Sequence, residues 1–295
     1  GVLYNEGLSI DSVDASSDTS ENMSTINASI EKVAPSNRNL TNVAYKLANK
    51  RLLGQGQSIT DPDAQTIITN AATGKNGVVD QKQLAITNAT EDTFDLQAAT
   101  KVAFNNLPPG TYYLYSQLTE MVGNEEGASG SNGFSLKSKW VETEVVVDSV
   151  INVSFPVDSL TFNSPTKGAF GKAENENGGA KIISNSNVPI GVKLKSIQED
   201  PENAVKLVDS FTENPDQELI LNAKTLYDAT GSDGPSWGPL SKDFTGNTQE
   251  LSLLPFWQNN TTATFYLEGN YSGPIVKQQT VNYSFTFYYE DVSEP

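Results

Sequence analysis

The chain has 295 residues, of which 37% are apolar and 19% charged, and it contains neither cysteine nor histidine. Its 36 acidic residues against 19 basic ones leave a net charge of −17. That charge argues against nucleic acid or an anionic membrane as a partner, because both attract basic surfaces. Disulfides, thiolate metal sites and Ser-His-Asp triads are excluded, because they need residues that the chain lacks.

The first 39 residues are polar and poor in core-forming side chains. Leu8, Ile10 and Val13 follow the alternation of one short strand, and the Ser-, Asp- and Asn-rich run 14–27 predicts an exposed segment. We therefore interpret residues 1–39 as an extension. The chain starts without Met, which fits a processed or trimmed N-terminus. We expect an extracellular, cell-surface protein whose signal peptide has been removed.

Residues 40–155 carry the alternation of short strands. Residues 43–47 alternate between large apolar and smaller or polar side chains, and residues 111–115 form an aromatic, β-branched run after a Pro-Gly turn. Residues 140–153 give the strongest strand pattern of this half, whereas residues 64–72 predict a brief helix. Short strands separated by turn clusters are typical of a β-sandwich.

Pro156 marks the expected start of a second domain, residues 156–295. Residues 182–183 and 188–194 predict a pair of strands around an Asn-Ser-Asn turn. Apolar residues at helical spacing over 204–211 follow an Asp-Pro pair and predict a helix. The chain contains no run of about twenty apolar residues, so the sequence predicts no membrane-spanning helix. The sequence thus predicts an all-β protein of two Ig-like or jelly-roll-like β-sandwich domains, 40–155 and 156–295, preceded by the polar extension.

One segment resembles a family signature. Residues 103–114 read Ala-Phe-Asn-Asn-Leu-Pro-Pro-Gly-Thr-Tyr-Tyr-Leu, which is similar to the F-x-N-L-x-x-G-x-Y pattern of Cna-B or SpaA-type modules in Gram-positive pilins and adhesins. In this reading Phe104 and Leu107 fill the core, and Tyr112 or Tyr113 returns to it after the turn. The resemblance covers about residues 40–155 and implies a pilin-like module.

The chain departs from that family at one chemically important place. Such modules often carry a Glu just after the aromatic strand, where it assists a Lys–Asn isopeptide cross-link. Here Tyr115-Ser116-Gln117 occupies the region, and the nearest acid is Glu120. A cross-link needs a neutral buried Lys beside a protonated acid. We therefore expect Lys46 to be an ordinary surface residue.

The second half is similar to surface domains of the WxL and TasA/camelysin kind. The resembling stretches are residues 153–162, 183–190 and the closing strand 283–289, although the WxL tripeptide itself is missing because Val141-Glu142 follows Trp140. The resemblance implies extracellular, wall-associated or fibre-forming proteins.

Two kinds of residue remain as candidate sites. The carboxylate pairs Asp61/Asp63 and Glu174/Glu176 could ligate calcium, but their spacing does not match an EF-hand, so solvated turns are the preferred interpretation. The aromatic residues Trp237, Phe256 and Trp257 lie in or beside predicted loops, where they either bind partners or cap a core. We assign no catalytic, cofactor-binding or metal site.

These observations favour a non-enzymatic structural protein, a subunit of a cell-surface filament or pilus built from copies of itself. The alternatives are a wall-associated adhesin or module that binds carbohydrate or host protein, and a carboxylate-based glycosidase. Strand donation is the assembly route that we predict, with Leu3, Leu8 and Ile10 inserting into the adjacent subunit. Deleting residues 1–13 should then give folded monomers. We expect no hydrolytic turnover of glycans, esters or peptides.

Overall fold

Alternating apolar and polar residues make strands the dominant element of this chain. The computed structural model describes residues 7–123, 133–155, 160–163, 167–241, 243–246, 249–274 and 280–294. Over these residues it is mainly β, which confirms the predicted all-β, sandwich-type fold. Contacts divide the chain into two compact units, Gly1–Ser149 and Val150–Pro295. None of the helices described is long and apolar enough to cross a membrane.

Over its described residues, the first unit combines eight strands with two short helices, and two of the strands lie before residue 40. In chain order its elements are β1 (Ser9–Asp18), β2 (Thr25–Ala34), β3 (Leu40–Ala48), α1 (Pro62–Asn70), β4 (Val78–Ala85), α2 (Leu96–Thr100), β5 (Val102–Phe104), β6 (Gly110–Val122), β7 (Phe134–Lys137) and β8 (Val141–Val147).

These strands form two antiparallel sheets around one core. One sheet has the order β1-β2-β5, and the other has the order β4-β3-β6-β7 with β8 also paired to β6. The alternation predicted over residues 43–47 is confirmed, because Val43, Tyr45 and Leu47 are fully buried in the core that both sheets share. The inward residues of β2 face the same core, so apolar burial holds the two sheets together.

The polar run 14–27 is exposed at about half of its residues, as we expected, but much of it is paired in strands. It belongs to a hairpin in which β1 and β2 pair antiparallel from Ser9↔Ala34 to Asp18↔Thr25. Small polar residues face outward in this hairpin, while Ile26, Ala28 and Ile30 are buried. The polar composition did not reveal the strands, because the outer face of this sheet carries Ser, Asp and Asn while its inner face carries core residues.

The aromatic segment around the Pro-Pro-Gly turn packs as its chemistry predicted. Phe104 and Leu107 are buried in the first core, and Tyr112 returns to it and donates a hydrogen bond to the Pro108 carbonyl. Tyr113 points to the opposite face of the sheet. The predicted burial of Phe104, Leu107 and Tyr112 is therefore confirmed, and it does not depend on membership of any family.

Helix α1 is the brief helix that residues 64–72 predicted, and it packs on the outer face of the larger sheet. Lys46, on that face of β3, is only 8% exposed, so our expectation of a surface lysine is wrong. Its Nζ donates hydrogen bonds to the carbonyls of Ile68 (2.8 Å), Thr69 (2.9 Å) and Ala71 (2.6 Å). The last carbonyls of a helix have no hydrogen-bond donor within the helix, and they form the negative end of its dipole. A buried ammonium group therefore supplies the missing donor and also a favourable positive charge.

The second unit contains eleven strands over its described residues. They are β9 (Val153–Ser154), β10 (Leu160–Asn163), β11 (Gly168–Phe170), β12 (Ala180–Ser184), β13 (Ile190–Glu199), β14 (Lys206–Leu207), β15 (Glu218–Tyr227), β16 (Asp233–Trp237), β17 (Leu251–Leu253), β18 (Thr262–Tyr271) and β19 (Thr280–Asp291). Two short 3-10 turns, Lys172–Glu174 and Glu176–Gly178, lie between β11 and β12.

Two sheets again enclose a core in this unit. One has the order β10-β19-β13-β17, and the other runs β14-β15-β18-β12-β9, with β11 on β18 and β16 on β15. Trp237 and Phe265 are fully buried between them, and their ring centroids lie 6.4 Å apart. The predicted closing strand is confirmed as β19, whose Tyr283, Phe285 and Phe287 face the core.

Two predictions for the second unit are wrong. The helix predicted over 204–211 is absent: the Asp-Pro pair opens only a turn, in which Asn203 N–H donates to the Asp200 carbonyl (3.0 Å). Residues 206–207 then form β14, parallel to β15, so Val205 and Leu207 are buried with a strand's period of two. The strands predicted as a pair, β12 and β13, lie in different sheets, because the turn between them crosses the core.

Asn175 completes a gap in the ladder along β18. β12 pairs with residues 262–265 of that strand and β11 with residues 269–271, which leaves the middle without a strand partner on this side. The buried carboxamide of Asn175 donates to the Leu267 carbonyl (2.8 Å) and accepts from the Leu267 N–H (2.9 Å). A side-chain amide here replaces a peptide group, because a buried backbone pair needs both a donor and an acceptor.

We expect Lys46→Met to lower the free energy of unfolding by roughly 1–3 kcal/mol, because the Thr69 and Ala71 carbonyls at the end of α1 lose the donor described for them, while the Ile68 carbonyl still accepts the Ala71 N–H (3.2 Å). Lys50→Met is the matched control, since Lys50 is exposed two residues beyond β3. Urea unfolding of both variants measures the difference. Equal stability of the two would show that the carbonyls find other partners.

Candidate functional site

The predicted subunit-contact residues do not all lie where strand donation would place them. Leu8 (3% exposed) and Ile10 (8% exposed) are buried in the first core of their own unit, where β1 pairs with β2. Leu3 lies outside the described residues. Insertion of Leu8 and Ile10 into a second copy would therefore require β1 to separate from β2.

The opposite side of β2 is incomplete. β5 pairs with β2 only at residues 26–28, because the chain is still in α2 up to Thr100 and joins the sheet from Val102 onwards. The hydroxyl of Thr100 accepts the N–H of Ile30 (2.8 Å) and donates to the Leu96 carbonyl (2.8 Å). The buried phenol of Tyr45 donates to the Thr100 carbonyl (2.7 Å), which holds the junction in place. Among the described residues, no strand pairs with residues 31–34 on this side.

A groove of about 350 Å³ lies beside this unpaired end of β2. We call it the β2 groove and define it by its lining residues: Glu31, Lys32, Val33, Ser36, Asn37, Arg38, Leu40, Ala89, Glu91, Asp92, Phe94 and Leu96. Its apolar members include the buried Leu40 and Ala89 and the half-buried Phe94 and Leu96, while its charged members are mostly exposed. The groove thus combines an apolar floor, a polar rim and an open strand edge.

One wall of the groove is fixed by an ion pair between the partly exposed Arg38 and the buried Glu120. The guanidinium of Arg38 donates to both carboxylate oxygens of Glu120, at 2.7 and 2.9 Å, and Glu120 is 1% exposed. This hydrogen bonding raises the pKa of Arg38 above its ordinary value. Two parallel bonds fix the orientation of the guanidinium plane. The ion pair therefore holds the link between β2 and β3 in one position.

The arrangement around Lys46 does not match the chemistry of an isopeptide cross-link. All the hydrogen bonds described for its Nζ go to backbone carbonyls, and the Nζ lies 5.1 Å from the centre of the Trp140 ring. Burial, followed by the charge of Lys137, lowers the pKa of Lys46. Glu120 pairs with the first residue of β3, six residues along the strand from Lys46. No acid is among the hydrogen-bond partners that the structure describes for the Lys46 Nζ.

The carboxylate pairs lie on exposed turns. Asp61 precedes α1 and Asp63 lies in its first turn, and both are exposed. Glu174 accepts the backbone N–H of Gly171 (2.7 Å), and Glu176 is exposed in the following turn. Across the described part of the chain, no group of three or more acidic residues is arranged to hold a metal ion.

The aromatic candidates divide into core and surface. Trp237 is fully buried and donates its indole N–H to the Gln249 carbonyl (3.0 Å), so it caps a core. Phe256 and Trp257 are half-buried and meet edge to face with ring centroids 5.0 Å apart. Other exposed aromatic side chains are Phe134 (64% exposed) and, on opposite faces of β19, Tyr288 (49%) and Tyr289 (48%).

Sequence reasoning missed the β2 groove because its lining comes from separate parts of the chain. One local pattern points to part of it: Asp95 precedes Leu96 and caps α2 by accepting the Ala98 N–H (3.3 Å). Asp before a short apolar run is a helix-start pattern. That pattern locates α2, but it cannot show that the helix interrupts the pairing of β2.

Leu8→Ala should lower the free energy of unfolding of the monomer by about 2–5 kcal/mol, because the deletion leaves a cavity in the first core. Ser9→Ala, at the neighbouring exposed position, should have little effect. Chemical unfolding of dilute, monomeric protein measures both. A stable Leu8→Ala monomer would mean that this side chain is buried only in an assembly.

No protein-family model and no curated protein matches the chain. Solved structures similar to it include a chain from the structure of infectious bursal disease virus Gt strain, at 11% identity and a TM-score of 0.20, with 98% of this chain and 68% of that chain covered. Another is from T=1 particles derived from infectious bursal virus, at 12% identity and a TM-score of 0.21, with 98% and 66% covered. This chain spans about two thirds of their length. TM-scores this low carry no argument about fold or function.

Proposed function

We propose that this chain is a non-enzymatic extracellular structural protein, a subunit that forms cell-surface filaments from copies of itself. The observation that carries the proposal is the incomplete sheet of the first unit, in which residues 31–34 of β2 have no strand partner on the β5 side among the described residues. An unpaired strand edge beside an apolar groove is the feature that added strands recognise. The chain also supplies a segment with the composition of a strand, Val2-Leu3-Tyr4, just before β1.

The donated part is the segment before β1 rather than β1 itself. Leu8 and Ile10 anchor β1 in the core of their own unit, and each contributes roughly 1.5–3 kcal/mol of burial there. Leu3 remains as the predicted intersubunit contact. This division leaves each subunit folded before assembly and requires no core to open.

The charge of the chain sets a condition on assembly. Subunits that each carry −17 repel one another at long range. Ionic strength near 0.15 M screens such repulsion beyond about 8 Å. Association should therefore be weak in dilute buffer and stronger at physiological salt.

A wall-associated adhesin or glycan-binding module is the second candidate function, and the exposed tyrosines of β19 favour it. Tyr288 and Tyr289 are each about half exposed near the end of the strand, on its opposite faces, and Tyr288 donates a hydrogen bond to Glu290 (3.1 Å). Exposed aromatics beside acids suit sugar or protein contacts. Such a module would bind glycans as a monomer, whereas a filament subunit would form a series of oligomers of increasing size.

Removal of residues 1–6 tests the proposed function more cleanly than removal of 1–13, because it leaves Leu8 and Ile10 in the core. We expect the full-length protein to form filaments or a ladder of oligomers at 0.15 M salt, and the truncated protein to stay folded and monomeric. Electron microscopy and light scattering measure assembly. Removal of residues 293–295, at the exposed end of the described chain, is the control.

Two results would contradict the proposal. A full-length protein that stays monomeric at every concentration and salt would reject self-assembly. Filaments formed equally well by the protein lacking residues 1–6 would show that assembly uses another surface.

A further inference from the structure

We propose that the β2 groove is the acceptor site for a second copy of this chain, and that the occupant is its segment Val2–Tyr4 with Leu3 inserted between Leu40, Phe94 and Leu96. This inference rests on the proposed function, because it names the acceptor for the donated segment. It assigns Leu3 to a neighbour and keeps Leu8 and Ile10 within their own subunit.

The backbone of β2 provides the first argument. Its residues 31–34 extend beyond the last residue paired with β5, and among the described residues the Thr100 hydroxyl alone continues the ladder past Ala28, at Ile30. The open stretch of four residues is about 13 Å long. A strand added there would continue the sheet in the order β1-β2-added strand, beside α2.

The side chains of the groove provide the second argument. Its floor is apolar where Leu40 and Ala89 are buried, and Phe94 and Leu96 remain half-exposed. A volume of about 350 Å³ is at the lower end of the range found for binding pockets, which suits a few side chains. The charged rim of Glu31, Lys32 and Glu91 keeps the open edge soluble until it is occupied.

The position of the chain start favours a second copy over the same molecule as the source. β1 runs antiparallel to β2 and its first residue, Ser9, pairs with Ala34, the last residue of β2. A segment that continued the direction of β1 beyond Ser9 would pass the end of β2 on the β1 side, away from the groove. Six extended residues reach about 20 Å, which exceeds the open edge of a neighbour. Within one molecule they would have to reverse direction first.

Exchange of the whole strand β1 is the competing mechanism, and a disulfide can block it. The Ile30 N–H points to Thr100, away from β1, so Ile30 and Val13 form a non-hydrogen-bonded pair. Such pairs recur every second residue of an antiparallel ladder, so Ala28 and Ala15 form one too. Cα atoms in such pairs lie about 4.5 Å apart, within the range of disulfides. Because the chain has no cysteine, Ala15→Cys with Ala28→Cys locks β1 onto β2 without competing thiols.

Cross-linking between differently tagged copies tests the acceptor directly. A Leu3→Cys protein is mixed with a Ser36→Cys protein at 0.15 M salt under mild oxidation with oxidised glutathione. Ser36 lies exposed on the rim, so the change does not disturb the floor. We expect a mixed disulfide at least tenfold more abundant than with Ser20→Cys, an exposed control in the β1–β2 turn.

Filling the groove tests the same contact through assembly. Ser36→Trp places a large ring over the floor from an exposed position, and Ser20→Trp is its control. Leu3→Asp removes the inserted side chain, with Leu3→Ile as the conservative rescue. We expect Ser36→Trp and Leu3→Asp to raise the concentration needed for assembly about tenfold or more, the effect of losing one buried leucine. The Ser20→Trp and Leu3→Ile proteins should assemble normally.

Each outcome separates this inference from the proposed function. Assembly that survives the oxidised Ala15–Ala28 lock, together with the mixed disulfide, supports donation into the groove. Assembly lost on oxidation of the lock and recovered on reduction would overturn the groove in favour of β1 exchange, with self-assembly intact. A disulfide formed within one chain in the Leu3→Cys/Ser36→Cys double variant would overturn the second copy as occupant. Normal filaments from Ser36→Trp would overturn the groove alone.

Discussion

A buried or half-buried strand needs hydrogen-bond partners along both of its edges, and β2 loses its strand partner after Ala28. Much of the first unit follows from how that loss is managed. Thr100 ends α2 at the position where its hydroxyl can accept the Ile30 N–H, and Tyr45 holds the Thr100 carbonyl from the core. Past that point no described strand pairs with β2 on this side, and the loop before α2 forms the far wall of a groove. The same constraint therefore explains a local helix and a candidate docking surface.

Polar side chains perform related tasks at other places where regular pairing ends. Lys46 satisfies the terminal carbonyls of α1 from inside the larger sheet, and Asn175 bridges the gap between two strands on β18. Arg38 and Glu120 fix the connection between the two sheets of the first unit. Buried polar groups are costly unless they are paired, so each of these contacts specifies one geometry as well as stabilising it. In a chain without disulfides, such contacts hold loops and element ends in place.

The candidate site could be predicted from the sequence only in part. The apolar run before β1 and its alternation with Leu8 and Ile10 are visible in the sequence, and so is the idea that a terminal strand is donated. Packing decides which of these residues remain in their own subunit. The structure shows that Leu8 and Ile10 lie in the core of their own unit. The acceptor could not be found at all, since residues near 33, 38 and 94 meet only after three elements have packed.

The sequence by itself determined the fold class, the main strands and the core face of each, because period-two alternation and turn chemistry are local properties. Residues 43–47 and the closing strand show this, as does the Pro-Pro-Gly turn with its buried Phe104. Tertiary structure decided the rest. Residues 206–207 form a strand although the spacing over 204–211 is helical, and β12 and β13 lie in different sheets. Lys46 is buried beneath a helix. Each of these outcomes depends on a partner distant in sequence, whose contact free energy outweighs the local preference of the segment.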